Sequence, residues 1–281
     1  MHNPWLRTTL TVLTFVSLSA GAARAATLKE TFAQSYPFAA GGTLTLRNVN
    51  GAVTLDAWDR NEVRIEADKE VKASSDADAK KIMDQVKIDV QTAAGGLHVD
   101  TKIPKRDNGF LGLFGSNANV NVTYRVHLPR RATVDAGTVN GAIGLTGTQG
   151  PAKLETSNGS VKVHGVDGDL DLGTTNGAVE AAGVTGTVKA DTTNGHIDLQ
   201  FAHVPNRGEN QASTTNGGVT VKMPRGAGVE VDAATTNGRV QSDFQVAGGQ
   251  PGKRHLSGTI NGGGSKLHIR TTNGGVRLVE G

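Results

Sequence analysis

The sequence predicts an all-β chain, a right-handed parallel β-helix or β-solenoid of about 18–24-residue coils with an N-terminal cap carrying one short helix. Three observations predict it. A short motif ending in Asn-Gly recurs at near-constant spacing, apolar residues alternate on either side of it, and glycine is abundant and regularly placed. Glycine makes up 38 of 281 residues, well above the ordinary usage of about 7 %.

Residues 1–25 read as a signal peptide. A short segment with one Arg precedes "TTLTVLTFVSLSAGA", and Ala23-Arg24-Ala25 supplies the small residues that a signal peptidase reads. Cleavage after Ala25 and export to the periplasm or cell surface are expected. No later apolar run approaches the ~20 residues of a membrane-spanning helix, so no transmembrane segment is expected after cleavage. The leader contains Arg7 and Arg24 and no acids, so of 29 basic residues 27 remain against 26 acidic ones. A chain so balanced lacks the clustered positive charge that nucleic acid requires. The absence of cysteine excludes disulfides, thiolate catalysis, Cys-ligated metals and a lipid-modified cysteine.

Residues 26–137 are expected to form the capping region. Within it, 43–68 repeats the alternation around Asn50-Gly51 and reads as a first, outlying unit. Residues 74–86 form the one helical pattern, with a Ser/Asp start and an apolar stripe of Ile82, Met83 and Val86. Strands are expected over 86–92, 97–103 and 120–128. Aromatic residues gather in this region, as suits a cap over a narrow core of small residues. The segment 102–120 puts Phe110, Leu111, Leu113 and Phe114 among Gly and Asn, and these four form a candidate partner-contact loop. A long connection is either functional or irregular: the tip grips a partner or lipid surface, or it folds back as a plug.

Residues 138–281 form the β-strand repeat region. Units such as "TSNGSVKVHGVDGDLDLG" and "TTNGAVEAAGVTGTVKAD" follow one another, with longer versions later and "TINGGGSKLHIR" and "TTNGGVRLVEG" at the end. Ile143, Val161, Val179, Ile197, Val219, Val240 and Val276 each stand two residues after the motif's Gly, and alternation continues beyond them. Period two means strand. An antiparallel β-meander is the alternative, because Asn-Gly is a strong hairpin signal. Recurrence of one identical motif favours stacked coils, where equal side chains in register bond into ladders.

The units "NVNG", "TVNG", "TSNG" and "TTNG", the lead-in "YRVHLPRRATVDAGTVNGAI" and the terminal "SGTINGGGSKLHIRTTNGGVRLVEG" resemble the putative-adhesin family of exported bacterial β-strand-repeat proteins of unknown function. The resemblance runs from about Thr43 to Gly281. It implies a β-helical fold and a periplasmic or surface location, and it carries over no functional residues.

Asn140, Asn158, Asn176, Asn194, Asn216, Asn237 and Asn273 are expected as a structural corner ladder. Each would satisfy backbone groups and take a left-handed conformation before its Gly; the competing reading is a row of amides presented to a glycan. Asp167-Gly168-Asp169-Leu170-Asp171 opens like a calcium loop but lacks Gly at its sixth and Glu at its twelfth position. The histidines show neither His-x-His nor HExxH spacing, and there is no Gly-x-Ser-x-Gly elbow or phosphate loop. No catalytic, cofactor-binding or metal residues are therefore assigned. The expectation is a non-enzymatic, adhesin-like binding or scaffold protein of the cell envelope, with surface polysaccharide or an envelope protein as partner. A self-associating periplasmic structural protein is the alternative, and a polysaccharide-active enzyme the least favoured reading.

Overall fold

The computed structural model describes residues 26–93, 95–103, 118–249 and 252–281. The chain opens with β1 (Ala26–Pro37), β2 (Thr43–Arg47), β3 (Val53–Trp58) and β4 (Glu62–Ala73). Helix α1 (Asp76–Met83) follows, then β5 (Lys87–Ala93), β6 (Gly96–Lys102) and β7 (Asn119–Pro129). Next come β8 (Thr133–Asn140), β9 (Ile143–Thr146), β10 (Ala152–Asn158), β11 (Val161–His164), β12 (Leu170–Asn176) and β13 (Val179–Val184). Then follow β14 (Val188–Asn194), β15 (Ile197–Phe201), β16 (Glu209–Asn216), β17 (Val219–Met223), β18 (Val229–Asn237) and β19 (Val240–Ser242). The chain ends with β20 (His255–Ile260), β21 (Ser265–Asn273) and β22 (Val276–Glu280).

Each unit contributes one strand to each of two eleven-stranded sheets, ordered β1-β4-β7-β3-β9-β11-β13-β15-β17-β22-β19 and β20-β18-β21-β16-β14-β12-β10-β8-β2-β6-β5. Pairing between coils is parallel and in register: Val161 faces Ile143 and Val179, and Leu172 faces Leu154 and Ala190. This is a β-solenoid; the antiparallel meander is excluded. Because side chains alternate across a strand, one set from each sheet meets in a single core of Val, Leu, Ile and Ala. Val53, Leu55, Leu154, Leu172, Val179 and Ile197 are fully enclosed there.

Stacking order departs from sequence order at both ends. The β2–β3 coil lies between the β6–β7 coil and the β8–β9 coil. At the other end the last coil, β21–β22, lies between β16–β17 and β18–β19. To reach that slot the chain builds β18 and β19, returns as β20 antiparallel to β18, and turns back through Asn261, Gly262 and Gly263. These three have φ of 47°, 82° and 86°, the left-handed region that Gly tolerates and Asn visits most readily among other residues. The "TING" of 259–262 is therefore a tight return, not a further corner of the stack. Asn261 Nδ2 ties it to the outgoing chain by donating to the Arg225 and Ala227 carbonyls at 2.7 and 2.9 Å.

The antiparallel strands sit at the ends. β4 pairs with β7 and β1 with β4, β5 pairs with β6, and β20 pairs with β18. Helix α1 is shorter than its sequence pattern: Ser75 caps it by accepting from the Asp78 N–H, and Ala79, Ile82 and Met83 are buried, with the helix packed against β1 and β4. Tyr124, the largest fully buried side chain, stands in the column of Val53 and Ile143 and closes the core with a 2.6 Å hydrogen bond to Thr101. Burial pushes its phenol up to about 12.

Candidate functional site

Each repeated corner is built from three residues with separate tasks. The first Thr of the motif is buried, and its hydroxyl donates to the carbonyl of the corner Gly one coil below. Thr156 reaches Gly141, Thr174 reaches Gly159 and Thr192 reaches Gly177, at 2.9 to 3.0 Å. Thr214, Thr271 and Thr235 continue the column onto Gly195, Gly217 and Gly274. The Asn is exposed, and its Nδ2 donates to Oδ1 of the next Asn. The run Asn237, Asn273, Asn216, Asn194, Asn176, Asn158, Asn140, Asn50 is joined by seven such bonds of 2.7 to 2.9 Å, all pointing toward the N-terminal end. Asn50 extends the row beyond the seven residues read from the repeats, and it closes the row on the Val120 carbonyl at 3.2 Å.

The expected left-handed corner is not what these asparagines adopt. Among the described residues only Asn261 has positive φ outside glycine. The ladder asparagines end their strands in register with one another, so they satisfy each other and leave the backbone to the parallel pairing. The Gly is needed for closeness: a Cβ on Gly177 would overlap the Gly159 carbonyl, and one on Gly195 the Gly177 carbonyl. A second glycine column, Gly150, Gly168 and Gly186, obeys the same constraint at the opposite corner.

The outer face of the second sheet carries charge. Asp135, Lys153, Asp171 and Lys189 occupy one column in successive strands, alternating in sign. Burial raises the neighbouring Asp191 carboxyl. At the far end, past Gln211 and His268, the column reaches Asp232 of β18, which gathers side chains from β20 and β21. Its carboxylate bonds to Arg270, lies 3.0 Å from His255 Nε2 and 3.6 Å from His268 Nδ1. The Arg270 hydrogen bond holds its carboxyl down at about 2 although partial burial pushes the other way, with His255 adding to the lowering. Sequence reading missed this cluster, because its members lie in different units and show no motif spacing. A groove of about 400 Å³ beside it is lined by Glu230, Asp232, Gly258, Thr259, Lys266 and His268.

The candidate contact residues Phe110, Leu111, Leu113 and Phe114, and the leader 1–25, lie outside the described residues. Among the described residues no group of three or more His, Cys, Asp or Glu is arranged to hold a metal ion, and no helix is long and apolar enough to cross a membrane. Val139, 44 % exposed, is the one large hydrophobic side chain exposed among them.

No curated protein matches the chain. Among solved structures, it is similar to a putative adhesin from Bacteroides fragilis, 14 % identical with a TM-score of 0.42, covering 89 % of this chain and 97 % of that one. A putative cell adhesion protein from Clostridium sporogenes is 13 % identical, with a TM-score of 0.31 over 90 % of this chain and 100 % of that one. A putative lipid binding protein from Parabacteroides distasonis is 12 % identical, with a TM-score of 0.36 over 89 % and 97 %. The family described as Toastrack DUF4097 matches residues 101–279, from the end of β6 through the inserted last coil, and the chain belongs to that family.

Proposed function

We propose that the protein is an exported, non-catalytic binding or scaffold protein of the cell envelope, which recognises a repetitive partner such as surface polysaccharide through the strand faces of its solenoid. The supporting observation is the column Asp135, Lys153, Asp171, Lys189, in which charges of alternating sign recur at successive strands. Neighbouring strands stand ~4.8 Å apart, so the column presents a periodic array on a stiff support. Periodic polymers can use every step of such an array at once, whereas a small ligand uses one.

The test is a polysaccharide-binding screen with the purified protein and with a Lys153→Gln, Lys189→Gln variant. Binding of a polymer that the double variant loses, with thermal unfolding unchanged, is the expected result. Failure of every surface polymer to bind, or turnover of one, contradicts the proposal. A membrane-impermeant amine reagent applied to intact cells should label the protein if it sits at the surface, and should leave it unlabelled if it is periplasmic.

A further inference from the structure

The four strands that end the two sheets differ in how much edge they present. β19 has 3 residues, β20 has 6 and β5 has 7, whereas β1 has 12, and among the described residues nothing pairs with its outer side. A long unpaired edge is a template for another strand unless it is blunted. On the core-facing side of β1, Leu28, Phe32 and Tyr36 are only partly buried, with Glu30 and Gln34 between them.

In polarity that row is symmetric about Phe32. If a second β1 runs antiparallel with Phe32 opposite Phe32, then Leu28 faces Tyr36, Glu30 faces Gln34, Lys29 faces Ser35 and Thr31 faces Ala33. Apolar residues meet apolar residues, each charge meets a neutral polar group, and the two core-facing rows stay on one side. Neighbouring registers lose this match: centring on Glu30 or Lys29 opposes like charges, and centring on Thr31 or Ala33 sets Phe32 against Glu30 or Gln34. A two-fold contact requires such self-complementarity. We propose that β1 is the docking edge for a second copy of this chain, joining the two first sheets edge to edge in a two-fold dimer paired about Phe32.

The proposal goes beyond polysaccharide recognition and stands or falls separately from it. Light scattering of the purified protein across a wide concentration range should show a monomer–dimer equilibrium. Because Ser35 opposes Lys29 twice per dimer, Ser35→Glu should tighten association and Ser35→Lys weaken it, each by roughly threefold or more at low salt. The chain has no native cysteine, so cross-linking reads the register directly. A mixture of Thr31→Cys and Ala33→Cys chains should form disulfide-linked dimers faster than either chain alone. A protein that stays monomeric at all concentrations overturns the proposal, as does a dimer indifferent to residue 35 or without preference for the 31–33 pair.

Discussion

The corner Gly marks the closest approach between coils, so its replacement is the most severe single change at the residue scale. Gly177→Ala drives a methyl group into the Gly159 carbonyl of the coil below, where the nearest atoms are all backbone and no flexible side chain can yield. A loss of about 3 kcal/mol in urea unfolding is expected. Asn194→Leu removes two exposed amide bonds, to Asn176 and from Asn216; it should cost about 1 kcal/mol, and unchanged thermal unfolding would count against the ladder. Thr148 offers the opposite case. Its hydroxyl is fully buried without a partner, and Val166 holds the matching place one coil on. Thr148→Val should therefore raise stability by about 1 kcal/mol. The sequence announced the motif but not the work of each residue. Asn-Gly is read as a left-handed turn because that is its role in a two-residue hairpin, whereas a parallel stack uses Gly for contact and Asn for lateral bonding.

Strands were legible in the alternation, and so was the parallel stacking, since an identical motif is rewarded only where like residues meet in register. The Asp232 cluster was not, because β18, β20 and β21 bring its members together only after the chain has turned back on itself. That cluster ties three strands, and its pH dependence has a definite sign. Asp232 titrates at about 2 in the folded protein against an ordinary value of 3.8, so its stabilisation is present above the higher value and is lost as pH falls through the lower. Thermal unfolding between pH 5 and pH 2 should thus fall more steeply in the native protein than in Asp232→Asn. Equal slopes would mean that the carboxylate contributes nothing to holding β20 and β21 on β18.

The central claim at the scale of the whole molecule is the order of the coils. Identical corners make coils interchangeable, so sequence alone could not say which stacks on which, and a solenoid that follows chain order would set β18 against β16. Instead β21 separates them: Glu209 faces Lys266, which in turn faces Glu230. Adjacent strands lie ~4.8 Å apart and next-nearest strands about twice that, while a disulfide needs its two Cα atoms within ~7 Å. The absence of native cysteine makes engineered pairs unambiguous. The decisive measurement is disulfide formation in two double variants under mild oxidation, read by peptide mapping. Glu209→Cys with Lys266→Cys should close within one chain, and Glu209→Cys with Glu230→Cys should stay open. Closure of the 209–230 pair while the 209–266 pair stays reduced would contradict the inserted last coil.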